Sequence, residues 1–281
     1  MELVLQAVLI GILQGLTEFI PISSSAHLEL VPWMAGWDGD GLIGSLAFDV
    51  FLHLGTLLAL VGYFWRDWVR LARAFFASIG ERRIGDDPDR RLAWLLALAT
   101  VPAAIIGFLG EDVIDEVLHG GSDEVRLAIA GFLVIGAMAL LAADRFGARR
   151  RELSEVGVGT ALAVGFSQAL ALLPGISRSG ATISAGLALG LTREAAARFS
   201  FLLATPITLG AGLYGSRDLL TETHTGVEWL AIGGGFVAAA VSGALAIGFL
   251  LAWLRRRSVA VFSLYRVAFA ALVVALVLAG R

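Results

Sequence analysis

The chain contains no cysteine and no lysine. Without cysteine there is no disulfide framework, no thiolate metal site and no cysteine nucleophile, so any chemistry falls to Glu, Asp, His, Ser and Arg. All 21 basic residues are arginine. Charge of either sign is scarce, at 16% of residues, and a net charge of −3 offers a polyanion nothing to bind, which removes nucleic acid from the expected partners. Also missing is the usual balance of core to wettable surface. Of 281 residues 58% are hydrophobic and mean hydropathy is +0.82, so a bilayer must act as the solvent. The N-terminal stretch has no basic leading region and carries Gln14 and Glu18 in its apolar part, so it is not read as a cleaved signal peptide.

What is present is a series of apolar runs near the length, about 20 residues, that crosses a hydrocarbon layer. Six spans are expected, at roughly 42–64, 92–110, 125–143, 199–214, 228–254 and 258–279. Two further stretches, roughly 3–20 and 156–173, each end in a polar break with Pro, Gly and Ser, followed by a short helix-like segment. Arginines cluster after the first span (Arg66 to Arg91), after the third (Arg145 to Arg151) and between the last two (Arg255 to Arg257), which makes those loops cytoplasmic. The loops near 111–124 and 215–227 carry acids and only Arg217, so they are expected outside, with His119 and His224 as solvated loop residues. Segment 156–190 then starts and finishes inside. Its second half is too short for a crossing, and a helical hairpin that dips in and returns is expected.

The two broken stretches resemble each other. One constant offset of 154 residues carries Gly11, Gln14, Leu16, Ile22, Ser23 and Ser25 onto Gly165, Gln168, Leu170, Ile176, Ser177 and Ser179. Each copy is followed by three spans, an odd number, which turns the second copy upside down. The expected fold is therefore an all-α polytopic membrane protein, one integral-membrane domain over residues 1–281, with an inverted-topology repeat of about 1–145 and about 155–281, each half a re-entrant hairpin plus three transmembrane helices. Irregular backbone at membrane depth is tolerated only where protein buries it or it lines a wet cavity. Turns leading into helices also aim N–H groups and a positive helix end at such a cavity, which suits phosphate.

Within these turns, Gln14 and Glu18 lie four apart on one helix face. Glu18 either reaches interfacial water or serves as a general base or cation ligand; Glu and Gln oxygens suit Mg²⁺ or Ca²⁺. Ser23, Ser24 and Ser25 are either helix caps or, with His27 close by, a hydroxyl and imidazole for phosphate chemistry. Arg178 stands where the first copy has Ser24, between Ser177 and Ser179 and before Gly180; its planar fork either binds phosphate or pairs with Glu18, and the two can coexist if the pair opens when substrate enters. Asp49 and His53 share a face of the first long span, with direct catalysis, support of the site or mutual neutralisation all open. The arginine clusters suit anionic lipid headgroups.

These residues resemble the undecaprenyl pyrophosphate phosphatase family, BacA or UppP. The resemblance rests on the run Gln14 to His27, on Pro174 to Gly180, and on Phe48-Asp49, His53, Gly55-Thr56 and Thr205-Pro206. It implies hydrolysis of a polyprenyl diphosphate to the monophosphate in the plasma membrane, which recycles the lipid carrier of cell-envelope glycan synthesis and gives bacitracin resistance as a side effect. It further implies Glu18, Ser24, His27 and Arg178 as catalytic, Gln14, Ser23, Ser25, Ser177, Ser179 and Gly180 as binding the substrate, a divalent cation on Glu18 and Gln14, and Asp49 and His53 behind them. Gln14 stands where some members have Glu, and Ala26 where many have Gly. Either Ser24 attacks, with His27 acting on the leaving group, or a water does with Glu18 or His27 as base. A homodimer stays open, and a secondary transporter or flippase of a polyprenyl phosphate is the main rival, because inverted repeats with broken helices are its usual plan.

Overall fold

A computed structural model describes residues 1–37, 41–118, 121–221 and 224–280, with no description of the side chains of residues 46, 111–118 and 214–221. Among them there is no strand, only an isolated bridge between Arg151 and Leu191. Eleven α-helices follow in order: α1 Glu2–Phe19, α2 Ser24–Ala35, α3 Leu46–Tyr63, α4 Trp65–Gly80, α5 Pro88–Leu118, α6 Asp123–Phe146, α7 Val158–Ala169, α8 Arg178–Ala188, α9 Arg193–Thr221, α10 Gly226–Leu254 and α11 Ala260–Leu278. Six of these are long and apolar enough to cross a membrane, namely α1, α5, α6, α9, α10 and α11, and the bent pair α3–α4 brings the number to seven if it counts as one. The protein is a multi-pass membrane protein.

Five of the six expected spans correspond to α5, α6, α9, α10 and α11. The first differs. Apolar α3 ends at Tyr63, and the chain turns by 79° into α4, a helix where the arginines after the span predict a cytoplasmic loop. Arg66, Arg70 and Arg73 recur at helical spacing there while Trp65, Phe76 and Ile79 stand exposed, so the segment has a polar and an apolar side and is too charged to continue a span. The acidic stretch at 111–118 and the stretch at 215–221, both expected as loops, continue α5 and α9 as helix; His119 lies outside the described residues. His224 sits just before α10 with its ring against Trp229.

The two expected helix–break–helix units are both present. Their second arms are short, 12 residues in α2 and 11 in α8. The first arm α1, 18 residues, is about 27 Å long and meets the length of a crossing on its own. Small residues let the arms come close to their neighbours, as is usual where lipid gives helices no hydrophobic reason to associate. A Cβ on Gly11 would lie 2.2 Å from the Gly235 carbonyl oxygen in α10, and one on Gly165 would lie 2.3 Å from that of Ala99 in α5. Thus α1 runs along α10 and α7 along α5; α3 also meets α10, α9 meets α5, and α6 packs on α11.

At the arginine-rich end, Asp144 closes α6. It is buried, accepts Arg193 Nε at 2.6 Å and Nη2 at 3.1 Å from the start of α9, and accepts Ser258 Oγ at 2.8 Å from the link between α10 and α11. Three elements meet on one carboxylate.

Candidate active site

Helix α1 delivers Gln14 and Glu18 on one buried face, one turn apart, and Gln14 Nε2 donates to Glu18 Oε2 at 3.3 Å. The chain then breaks at Ile20–Ile22 and enters α2 through Ser23, whose φ of 77° is in the left-handed region that a side chain adopts only at a cost. That conformation aims the next residue, the first of α2, back at α1. Ser24 Oγ donates to Glu18 Oε2 at 2.5 Å. Ser23 makes no capping bond; its hydroxyl lies 3.2 Å from that of Ser25.

The second break repeats this local geometry. Ser177 has φ 73°, its hydroxyl lies 3.2 Å from that of Ser179, and the next residue begins α8. Here Ser177 does cap its helix, accepting from Gly180 N at 3.1 Å. The residue in Ser24's place is Arg178, which donates through Nη2 to Glu18 Oε1 and through Nη1 to Thr208 Oγ1 at 2.9 Å and Ala204 O at 3.2 Å, both in α9. One carboxylate thus holds a hydroxyl from one turn on one oxygen and a guanidinium from the other turn on the other oxygen. The first turns of α2 and α8 meet at this point, and their positive ends favour the negative charge between them.

His53 joins this group. Its Nε2 lies 3.6 Å from Glu18 Oε2, while Nδ1 donates to the Asp49 main-chain oxygen at 2.7 Å. The ring's bond to Asp49 is to its backbone, so no neutralising pair forms between those two side chains. The side chains of His53 and Arg178 retain 32% and 19% of their exposure, against 5% for Glu18, so the carboxylate is approached past the histidine and the guanidinium. His27 is placed differently from the rest. Both ring nitrogens are taken, Nδ1 by the Ser23 carbonyl at 2.6 Å and Nε2 by the Tyr265 hydroxyl at 2.7 Å, and the ring stacks on Phe269. It faces α11.

Among the described residues no three His, Asp or Glu side chains gather as a metal site. The oxygen donors near Glu18 are the carboxylate, Ser24 Oγ and Gln14 Oε1, the last buried with no partner. Four participants escaped the sequence reading: Thr208, Tyr265, Arg266 and Glu29. A signal existed for Arg266, an ionisable residue in the middle of an apolar span, which membrane insertion tolerates only for a purpose. Thr208 and Tyr265 carried none, since a hydroxyl in a membrane helix is unremarked without its partner. Glu29 lies on α2 near enough to Asp49 for the two charges to interact.

Fold and site together define a polytopic membrane protein with a charged, two-turn centre inside the bundle. The family profile described as bacitracin resistance protein BacA matches residues 7–272, and the chain belongs to that family. The undecaprenyl-diphosphatase of Thermomicrobium roseum is 46% identical over 94% of both chains. Those of Pelobacter propionicus and Rubrobacter xylanophilus are each 46% identical over 98% of both chains.

Proposed function

We propose that this protein is an undecaprenyl-diphosphatase, which hydrolyses the lipid diphosphate to monophosphate and inorganic phosphate and so returns a lipid carrier to cell-envelope synthesis. The observation that carries the reading is the single carboxylate of Glu18 shared by the Ser24 hydroxyl and the Arg178 guanidinium. Family membership and the name shared by the relatives support it.

When the diphosphate enters, its oxygens take over the guanidinium, a planar donor that binds phosphate in a bidentate manner. Glu18 is then free to act. Ser24 Oγ attacks the terminal phosphorus and its proton passes to Glu18 Oε2, already 2.5 Å away. The bond from that phosphorus to the bridging oxygen breaks, and the lipid monophosphate leaves with the electron pair and the proton from Glu18. Water then attacks the phosphoserine, losing its proton to Glu18, which returns it to Ser24 as inorganic phosphate departs. Arg178 and the two helix ends stabilise the charge on the transferred group in both halves. Ser23, Ser25, Ser177, Ser179 and Gly180 shape the turns that receive the phosphates, His53 and Asp49 stand behind Glu18, and His27 holds the first turn.

A Mg²⁺ or Ca²⁺ suits the donor set best when it arrives with the substrate, since Mg²⁺ is commonly held by one or two carboxylates plus phosphate oxygens. Glu18, the free Oε1 of Gln14 and Ser24 Oγ would hold it, and it would supply charge neutralisation of the phosphates.

The inverted repeat belongs to the same proposal. Positions 154 apart behave alike: Ser23 and Ser177 share left-handed backbone, α2 and α8 start at Ser24 and Arg178, and Gly11 and Gly165 make equally close approaches. Helix pairings also exchange between halves, α1–α10 with α7–α5 and α3–α10 with α9–α5. This symmetry is what keeps a flippase as the second reading. Phosphate release from undecaprenyl diphosphate by the detergent-purified protein, with and without Mg²⁺ or Ca²⁺ and beside Glu18→Gln and Arg178→Gln, separates the two, because detergent leaves no membrane to cross. Release abolished in both variants is expected; none from folded wild type moves the assignment to transport.

A further inference from the structure

Helix α11 carries two adjacent polar residues, Tyr265 and Arg266, in a span whose one other polar side chain is Ser263. Neighbours on a helix point about 100° apart, so the two face different elements. Each touches the support of one turn of the site.

Tyr265 reaches α2. A carbonyl oxygen only accepts, so the 2.6 Å contact from His27 to Ser23 O places the hydrogen on Nδ1 and leaves Nε2 to accept from the Tyr265 hydroxyl at 2.7 Å. The Ser23 carbonyl belongs to the peptide that leads into Ser24. Its direction sets where Ser24 Oγ points. The chain of contacts therefore runs from Tyr265 through His27 to the strained residue before the nucleophile.

Arg266 reaches the other way and is wholly buried. Its Nη2 donates to the carbonyls of Gly175 at 2.7 Å and Ile176 at 3.0 Å, and its Nε to that of Leu133 at 3.1 Å in α6. Nη1 has no hydrogen-bond partner. The guanidinium occupies a slot made by missing side chains: a Cβ on Gly136 would lie 2.0 Å from Nη2, and one on Gly180 would lie 3.0 Å from Nη1. A buried cation whose described partners are main-chain carbonyls is costly to keep in a bilayer. It is spent on the two residues before Ser177 and Arg178.

We propose that α11 positions both halves of the site through this pair: Tyr265 fixes the Ser24 turn by way of His27, and Arg266 fixes the Arg178 turn by holding its carbonyls. Both are positioning residues. The kinetic part of the test rests on the diphosphatase reading, so a second measurement is independent of activity.

In detergent, with undecaprenyl diphosphate as substrate, Tyr265→Phe lowers kcat by about tenfold, the effect of one buried hydrogen bond, and leaves KM within about twofold. In a His27→Gln background the same change costs less than about twofold, because residues acting through one another are not additive. Arg266→Lys instead raises KM, since Arg178 is the group that binds the diphosphate. The activity-independent measurement is amide hydrogen exchange of the two turns. Tyr265→Phe speeds exchange at 23–26 and not at 177–180, and Arg266→Lys does the reverse. Gly136→Ala approaches the slot from α6 and repeats the Arg266→Lys pattern should the lysine variant not fold. Equal loosening of both turns by either variant, or an undiminished kcat loss for Tyr265→Phe without His27, overturns the proposal. A wild type that releases no phosphate while the crossed exchange pattern holds would sink the diphosphatase reading and leave the brace standing.

Discussion

The turn at Ser23–Ser25 and the turn at Ser177–Ser179 have nearly the same backbone and present different side chains to Glu18. Both begin with a serine in left-handed conformation, both set two serine hydroxyls 3.2 Å apart, and both launch a short helix. One residue separates their chemistry: a hydroxyl at position 24, a guanidinium at 178. The scaffold supplies position and a positive helix end twice; the side chain decides whether a hydroxyl or a guanidinium meets Glu18. Glu18, from the first half alone, is the one group both turns address.

The largest effect expected on this comparison comes from removing what the turns share. Glu18→Gln keeps the shape of the side chain but loses the base, and phosphate release should fall by about a thousandfold or more. Glu18→Ala additionally leaves Arg178 without its anion; breaking a buried pair costs about 3–5 kcal/mol, so this variant should also melt earlier in a detergent thermal scan. Next is Arg178→Ser, which makes the second turn a copy of the first. Substrate binding should be lost, and Arg178→Lys should keep the charge but forfeit the fork, with kcat/KM lower by about ten- to a hundredfold. If the lysine variant matches wild type, the planar contact has no role.

A smaller effect tests the packing of the two arms. Gly11→Ala and Gly165→Ala push a methyl group against a backbone carbonyl in α10 and α5, and each should cost about 1–3 kcal/mol in stability, of similar size if the halves are equivalent. Unequal costs would mark where the symmetry ends. The smallest separates the two strained serines. Ser23→Gly relieves φ without losing a capping bond and should stabilise by about 1 kcal/mol, whereas Ser177→Gly gains the same relief and loses the bond to Gly180 N, leaving a change near zero. Equal shifts would mean that the cap contributes nothing.

Much of the fold was legible because apolar length and arginine placement act over whole segments. The breaks at Pro21–Ser23 and Pro174–Ser177 were visible as residues, and their likeness as an offset. The turn from α3 into α4 was not, since arginines after a span read as a topology signal whether they sit on a loop or on one side of a helix. In the site, Gln14, Glu18 and Ser24 fell together because all follow from one helix face and the turn after it. His27 is the instructive exception. Its three-residue spacing from Ser24 is compatible with a shared task, but its ring is claimed by Tyr265, 238 residues further along, and no local pattern announces a partner that distant. Arg266 was detectable on cost alone, though which carbonyls it holds required the fold.

Asp144 ties the start of α9, the end of α6 and the link into α11 at one end of the bundle. Separating these elements at that end would first require three hydrogen bonds to a single carboxylate to be undone.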